Sequence, residues 1–363
     1  MLEKGRISSL QMEMIIIPTV IATAALSIPA FAGRLANHDM WLIPIVGSLT
    51  GFLTVFIAWK LHELYPKMTP IQYSEKIIGK IAGRVFSLFL ILFYLHKAGI
   101  SVRDYSDFIA GNVMIETPRI VFIITLIFVS ALAARGGLEV VARSAVICTT
   151  IFLGTSTVLL LLIKDLDLGY LLPFLEEGIV PVMRGGFFYN AWFTDFFLLA
   201  FLFPFINNHK KALKAGMKTT FFVMFIFVYI NFFVLTLIGP SSFNQFYPVY
   251  SAVRAISVFE FFENFEVLIM ASWVLGNFVK TAFYLYVISL SIAQWLRLSD
   301  FKAFVFPLGL LMVFFSLWDL PDIVAVRTYM TQVHPFLMTV LHLLVPLLLL
   351  MVALFRKQRR GSG

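Results

Sequence analysis

The sequence predicts an all-α membrane protein of ten transmembrane helices, arranged as two five-helix halves of opposite orientation. Three observations carry this. Ten long apolar stretches fill the 363 residues almost end to end, the Lys and Arg residues between them fall alternately on one side and the other, and the first and sixth stretches share irregularities at corresponding places. With 60% hydrophobic and only 13% charged residues, the chain is too apolar for a soluble surface to cover. A bilayer must be the solvent.

A span needs about 20 apolar residues, and spans are expected near 12–32, 41–60, 85–111, 119–134, 140–163, 187–206, 218–238, 265–293, 303–318 and 336–355. The first closes in Ser27-Ile28-Pro29-Ala30 but is too long for a signal-peptide core, so it is expected to stay in the mature protein. It contains the small and breaking run Thr23-Ala24-Ala25-Leu26-Ser27-Ile28-Pro29. The third carries Tyr94 and the charges Lys97, Arg103, Asp104 and Asp107. Arg103 and Asp107 stand at i and i+4 and can neutralise one another, which favours a structural or vestibule role for this group. The fifth holds the single cysteine, Cys148, which excludes disulfides within the chain and argues against a thiolate metal site. The sixth has Gly185-Gly186 near its start, Tyr189-Asn190 and Thr194-Asp195 inside it, and Phe203-Pro204 later. In the eighth, Trp273, Asn277, Lys280 and Tyr284 recur at spacings of four, three and four and form one stripe.

Two connections are longer than the rest. That at 165–186 is acidic, with Asp165, Asp167, Glu176 and Glu177, and that at 239–264 follows the turn Gly239-Pro240-Ser241-Ser242 with aromatic Phe246-Tyr247-Pro248. Both are read as interfacial helices or lids over a vestibule. No linker separates independent domains, so residues 1–363 form a single membrane domain, with repeat one at about 12–163 and repeat two at about 187–355.

Placing the amino terminus in the cytoplasm puts nineteen of the 28 Lys and Arg residues inside, six outside, and Lys97, Arg103 and Lys280 within spans. That asymmetry predicts cytoplasmic amino and carboxyl termini. The net charge of +8 is then mostly anchoring against the anionic lipid bilayer, and the Arg356-Lys357-Gln358-Arg359-Arg360 tail requires no nucleic acid. The six histidines show no HExxH or other ligand spacing, and no phosphate loop, nucleophile elbow or paired carboxylates appear. The chain is therefore expected to be no enzyme and to hold no cofactor or metal.

Interrupted helices at matching places in two halves point to a site at the membrane midplane, where unwound backbone offers free N–H and C=O groups. The alternative is that Pro18, Pro29 and Pro204 merely kink packed helices. A charge near the bilayer centre costs at least about 2.5–3.5 kcal/mol, so something must compensate Lys280 and Asp195. Lys280 lies on the order of 20 Å along its span and would face the protein interior. It binds the anionic end of a ligand, fills the place of a coupling cation, or forms a structural ion pair, with Asp195 as the first partner to consider. Asp195, beside Asn190 and Thr194, would receive a ligand ammonium, pair with Lys280, or cap the second half-helix.

With these features the chain resembles the spore germination permeases, the B subunits of germinant receptors, within the amino acid/polyamine/organocation transporter superfamily and its LeuT-like fold. The resemblance runs from about residue 8 to 356. It rests on Gln11 before a first span closing in Leu26-Ser27-Ile28-Pro29, on Tyr94, Arg103, Phe108-Ile109 and Thr117-Pro118, on Asp195 with Phe203-Pro204, and on Trp273 and Lys280. Related permeases usually carry glycine in the first unwound segment, whereas this chain has Ala24 and Ala25, which disfavour the most unusual backbone angles. The resemblance implies a 5+5 inverted repeat with interrupted helices 1 and 6. It also implies a sensor subunit in the inner membrane of a bacterial spore, beside an A subunit and a C-subunit lipoprotein, binding a small germinant, most plausibly an amino acid. The candidate ligand-binding residues are Thr23, Ala24, Ala25, Leu26 and Ser27 in the first span, Tyr94 in the third, Asn190, Thr194 and Asp195 in the sixth, and Asn277, Lys280 and Tyr284 in the eighth. The alternative function is a proton- or sodium-coupled secondary transporter of an amino acid or organic cation.

Overall fold

The first span begins on a reciprocal cap, which sets where its helix starts. The Ser8 hydroxyl accepts from the Gln11 N–H at 3.1 Å and the Gln11 side chain accepts from the Ser8 N–H at 2.9 Å, so two orphan donors of helix α1 (Ser9–Ile21) are satisfied together. In this computed structural model, which describes residues 3, 5–254, 265–318, 320 and 322–361, the chain is helical almost throughout. Ala22 and Thr23 form a turn, and α2 (Ala24–Ala36) resumes the span. The sequence pointed to a break across 23–29; the break is confined to residues 22 and 23, and Pro29 lies inside α2. Both turn residues keep right-handed helical dihedrals (−56°, −40° and −88°, −23°), as alanines rather than glycines downstream allow.

The second span is α3 (Ile43–Leu64), followed by the short α4 (Pro70–Ile78) and the long α5 (Lys80–Asn112). Helices α6 (Arg119–Gly136) and α7 (Leu138–Ser156) follow, the latter tightening into 3-10 geometry over Thr157–Asp165. Pro18 withholds the N–H that would bond to the Met14 carbonyl, and Thr149 of α7 replaces it, donating its hydroxyl to that carbonyl at 2.7 Å. The sixth span begins earlier than expected, with Pro181 in the first turn of α8 (Val180–Phe193). It then winds into 3-10 helix at Thr194–Phe201 and Phe203–Phe205, so the interruption is a change of pitch rather than an open loop.

Beyond it lie α9 (His209–Ile238), α10 (Pro248–Arg254), α11 (Phe265–Leu296) and α12 (Val305–Trp318). The segment expected at 239–264 is described only to Arg254: a 3-10 turn at Gly239–Asn244 and then α10, with 255–264 outside the described residues. The tenth span starts well before residue 336. Asp322 caps α13 (Ile323–Thr328) by accepting from the Ala325 N–H at 2.7 Å, and π turns at Tyr329–Val333 and Val340–Leu344 flank α14 (His334–Thr339) before α15 (Val345–Gly361). The wide turn ahead of Pro335 lets the helix run on through that proline, just before residue 336 where the span was expected to start.

Among the described residues, eight helical runs are long and apolar enough to cross a bilayer, and Ser9–Ile21 and Lys302–Trp318 are shorter apolar helices. Helices α3 and α8 approach closely: a Cβ on Gly47 would stand 2.7 Å from the Tyr189 Cβ, and one on Gly186 would stand 2.5 Å from a Val46 methyl. Their glycines admit one helix to the surface of the other.

At the amino terminus, a short strap ties three elements together. Ile7 donates to the Phe205 carbonyl and accepts from the Asn207 N–H, both at 3.0 Å, while the Arg6 guanidinium donates to the Pro204 carbonyl at 3.2 Å. Glu3 accepts from the Leu138 N–H at 3.0 Å, at the start of α7, where Gly137 takes a φ of 95° that a side chain would resist. The far end of the sixth span is thereby fixed to the turn between α6 and α7.

Candidate functional site

The two interruptions meet the stripes of α5 and α11 around a buried charge centre. Asp195, the second residue of the 3-10 segment and 1% exposed, is ion-paired with Lys97 of α5. Tyr284 of α11 stands with its hydroxyl 3.4 Å from the same carboxylate oxygen, and His342 Nδ1 of the tenth span lies 3.5 Å from it. Lys97 Nζ also approaches the Met338 sulfur at 3.2 Å. The other carboxylate oxygen of Asp195, the Tyr94 hydroxyl, the Ser101 hydroxyl and both ring nitrogens of His342 are buried without a hydrogen-bond partner. So much unsatisfied polarity in one place is a usual mark of function or of a missing partner group.

Two sequence-based readings are corrected here. Asp195 pairs with Lys97, not with Lys280, and among the described residues its carboxylate accepts from Lys97 and Tyr284 rather than from a backbone N–H of the 3-10 segment. Lys280 instead donates to the Thr23 hydroxyl at 2.7 Å, at the break in the first span, and among the described residues no carboxylate forms an ion pair with it. Trp273, two turns earlier on α11, donates its indole N–H to the Ala22 carbonyl, one of the carbonyls that the interruption frees. The stripe on α11 therefore reads the break directly.

A narrow fissure joins these groups, lined among others by Thr23, Lys97, Ser101, Asp195, Lys280 and His334. It has about 20 Å³ of free volume, room for a water molecule but not for an amino acid. It shares Thr23, Trp192 and Met330 with a neighbouring opening also lined by Ser27, Phe31, Asp104, Phe246 and Tyr247. The aromatic connection thus contributes to the wall of that second opening, with Tyr247 packed edge-on to Phe108 at 4.8 Å.

The other candidates fall in three places. Tyr94 packs against Tyr284, Phe201 and His342, behind Asp195 and off the fissure wall. Asn190, Thr194 and Asn277 spend their polar groups on helix structure: Thr194 donates to the Asn190 carbonyl at 2.6 Å, Thr50 donates to the Asn190 side chain at 2.9 Å, and Asn277 donates to the Trp273 carbonyl at 3.0 Å. Ala24 is fully buried, and Ala25 and Leu26 face a separate apolar cavity with Phe152 and Trp273. Sequence reasoning gave Lys97 only a structural or vestibule role and passed over Ser101, Trp192, Met330, His334 and His342. Arg103 does bond Asp107 at 2.7 Å, as their spacing predicted. Among the described residues no group of three or more His, Cys, Asp or Glu is placed to hold a metal ion.

Broken helices packed around a buried ionic centre define the class as a transporter-like membrane protein of the LeuT type, and solved structures bear out that fold. A Na+-coupled sialic acid symporter superposes with a TM-score of 0.65 at 14% identity, covering 91% of this chain and 80% of the symporter. A nucleobase-cation-symport-1 family transporter gives 0.64 at 12% identity over 90% and 74%, and the Eremococcus coleocola manganese transporter gives 0.65 at 12% over 95% and 76%. Residues 6–322 match the family described as spore germination protein, and the chain belongs to that family. It is similar to spore germination protein KB of Bacillus subtilis, 27% identical across 100% of this chain and 98% of that one, and to spore germination protein YndE of the same organism, 26% identical across 98% of each. It is a permease-like integral membrane protein rather than an enzyme.

Proposed function

We propose that this chain is the germinant-sensing membrane subunit of a spore germinant receptor, and that a small zwitterionic germinant, an amino acid, binds at the fissure between the two helix interruptions. The observation that carries this reading is the charge arrangement. Two ammonium groups, Lys97 and Lys280, and one carboxylate, Asp195, line one fissure, so an anionic group has an uncommitted cation at Lys280 and a cationic group has a carboxylate at Asp195. A ligand ammonium would displace Lys97 from Asp195, and a ligand carboxylate would take Lys280 beside Thr23.

Because the fissure is too small for an amino acid as it stands, binding must widen it, and that movement is the signal. A ligand favours whichever conformer it binds better, and the A subunit and C-subunit lipoprotein would read the shift in the spore inner membrane, with both termini of this chain cytoplasmic. Family membership and the related spore germination proteins support this reading. The test is a thermal-shift screen of the detergent-solubilised protein against amino acids, sugars and nucleosides, since a bound ligand raises apparent stability by mass action. Stabilisation by an amino acid that Lys280→Met abolishes is expected; stabilisation by sugars or nucleosides alone would overturn the amino acid assignment.

A second reading is a coupled secondary transporter, favoured by the likeness to symporters. Here Lys280, whose ammonium sits at the first-span break, would stand in for a bound sodium ion, and Asp195 with His342 would carry a proton. Uptake of the stabilising ligand by protein reconstituted in liposomes supports the transporter, and saturable binding without uptake supports the sensor.

A further inference from the structure

Apart from the charge centre, α3, α4 and α15 line an open-sided cavity of about 570 Å³, far roomier than the fissure or the opening beside it. Its wall carries Lys76, Arg356 and Lys357, with Glu63 the one acidic group. Glu63 is already neutralised by Lys60 at 2.7 Å. Arg356 donates to the Lys76 carbonyl at 3.3 Å, which braces α15 against α4, yet among the described residues none of the three cations has a carboxylate within ion-pair distance. Three unneutralised cations converge on one hollow. The rest of the wall is apolar, from Leu64, Tyr65 and Ala353, and it stands over the packed cluster of Leu61, Ile77 and Leu350.

We propose that this cavity binds the phosphate headgroup of an anionic phospholipid, with the phosphodiester between Lys76, Arg356 and Lys357 and the glycerol portion against Leu64, Tyr65 and Ala353. The position fits that source better than a dissolved anion. The cavity lies where two long apolar helical runs end, at Leu64 and Lys357, which is the depth of lipid headgroups, and the apolar half of its wall offers nothing to an inorganic phosphate. A phospholipid there would bridge the end of the second span, the amphipathic α4 and the last helix, and so fix the last helix to the rest of the chain.

The test uses the full chain in a neutral detergent, titrated with dioctanoyl phosphatidylglycerol, dioctanoyl phosphatidylcholine or inorganic phosphate, with thermal stability as the readout. Saturable stabilisation by phosphatidylglycerol alone is expected. The Lys76→Gln, Lys357→Gln double variant should weaken it by more than about tenfold, because each basic side chain near an anionic headgroup contributes about fivefold. Lys210→Gln with Lys211→Gln, on α9, removes the same charge elsewhere and should leave it unchanged. Equal effects of the two lipids, or equal losses in the two double variants, would overturn the proposal. Phosphate binding as tight as phosphatidylglycerol, lost in the first variant, would reassign the cavity to a free anion and overturn the lipid. Should the first variant not accumulate, the single exposed Lys357→Gln carries the same comparison.

Discussion

Lys97 and Asp195 are almost wholly buried, and each is tolerable there only because of the other. Removing one leaves an unpaired charge, at a cost of about 3–5 kcal/mol, whereas removing both leaves none. Lys97→Met and Asp195→Asn should therefore each reduce the amount of folded protein, and the double variant should recover it; a double variant poorer than both singles would refute the pairing. Lys280→Met is expected to behave differently. Its ammonium rests on the Thr23 hydroxyl rather than on a carboxylate, so protein level should stay near normal while the response to germinant falls. Thr23→Val should reproduce part of that loss, and a normal response from both variants at wild-type abundance would remove Lys280 from the binding site. At this scale the sequence was half legible. The cost of burying charge singled out Lys280 and Asp195, but choosing which charges meet needs the packing of α5 against the sixth span. A signal for Lys97 was present: Tyr94, Lys97, Ser101 and Asp104 recur at three, four and three, a stripe as regular as the one on α11. His334, Met338 and His342 likewise recur at four and four, which counting histidines by metal-ligand spacing does not detect.

Helix ends were less legible than helix centres, because they depend on partners distant in sequence. Pro18 was visible, yet the hydroxyl that satisfies the carbonyl it orphans comes from Thr149, 135 residues from Met14. The tenth span was likewise expected to start at 336, and a π turn ahead of Pro335 carries the helix back to Ile323. Close approach of α3 to α8 depends on glycines that span prediction ignores. Gly47→Ala places a methyl 2.7 Å from the Tyr189 Cβ and 3.3 Å from the Gly186 carbonyl, contacts that only a backbone shift can relieve. A loss of about 1–3 kcal/mol is expected, seen as a lower unfolding temperature in detergent, and an unchanged transition would mean that the two helices separate freely. The amino-terminal strap makes an element-scale prediction of its own. Glu3→Gln with Arg6→Ala removes the charged bond to the start of α7 and the bond to the Pro204 carbonyl, loosening the end of the sixth span. A cysteine at Ser101, in a Cys148→Ala background, should then be labelled faster by a thiol reagent from the side carrying the amino terminus. Equal rates with and without the strap variants would show that the strap does not gate the fissure.

For the whole molecule, the solvent and the fold class follow from composition and the spacing of apolar runs, solved structures of similar fold bear out the fold class, and family membership agrees with the bilayer. The number of crossings is harder to read, because length alone identifies eight crossing runs and leaves Ser9–Ile21 and Lys302–Trp318 short. Helix α1 is short only because the turn at Ala22 and Thr23 divides its span, so α1 and α2 together cover the expected first crossing. On that reading ten crossings are expected, five in each half, with the second half entering the membrane opposite to the first. The distribution of Lys and Arg predicts which side the termini take. Single cysteines placed in the Cys148→Ala background at Lys67, Lys210 and Arg356 should react with an impermeant thiol reagent only from the cytoplasmic face, and those at Asp167 and Ser241 only from the opposite face. Lys67 lies between the second and third spans and Lys210 between the sixth and seventh, so their agreement reports the four crossings from the third span to the sixth, and Arg356 with Lys210 reports the second half alone. Should Lys210 and Arg356 label from opposite faces, an odd number of crossings separates them in place of the four that spans seven to ten require, and a 5+5 inverted repeat of residues 12–163 and 187–355 fails.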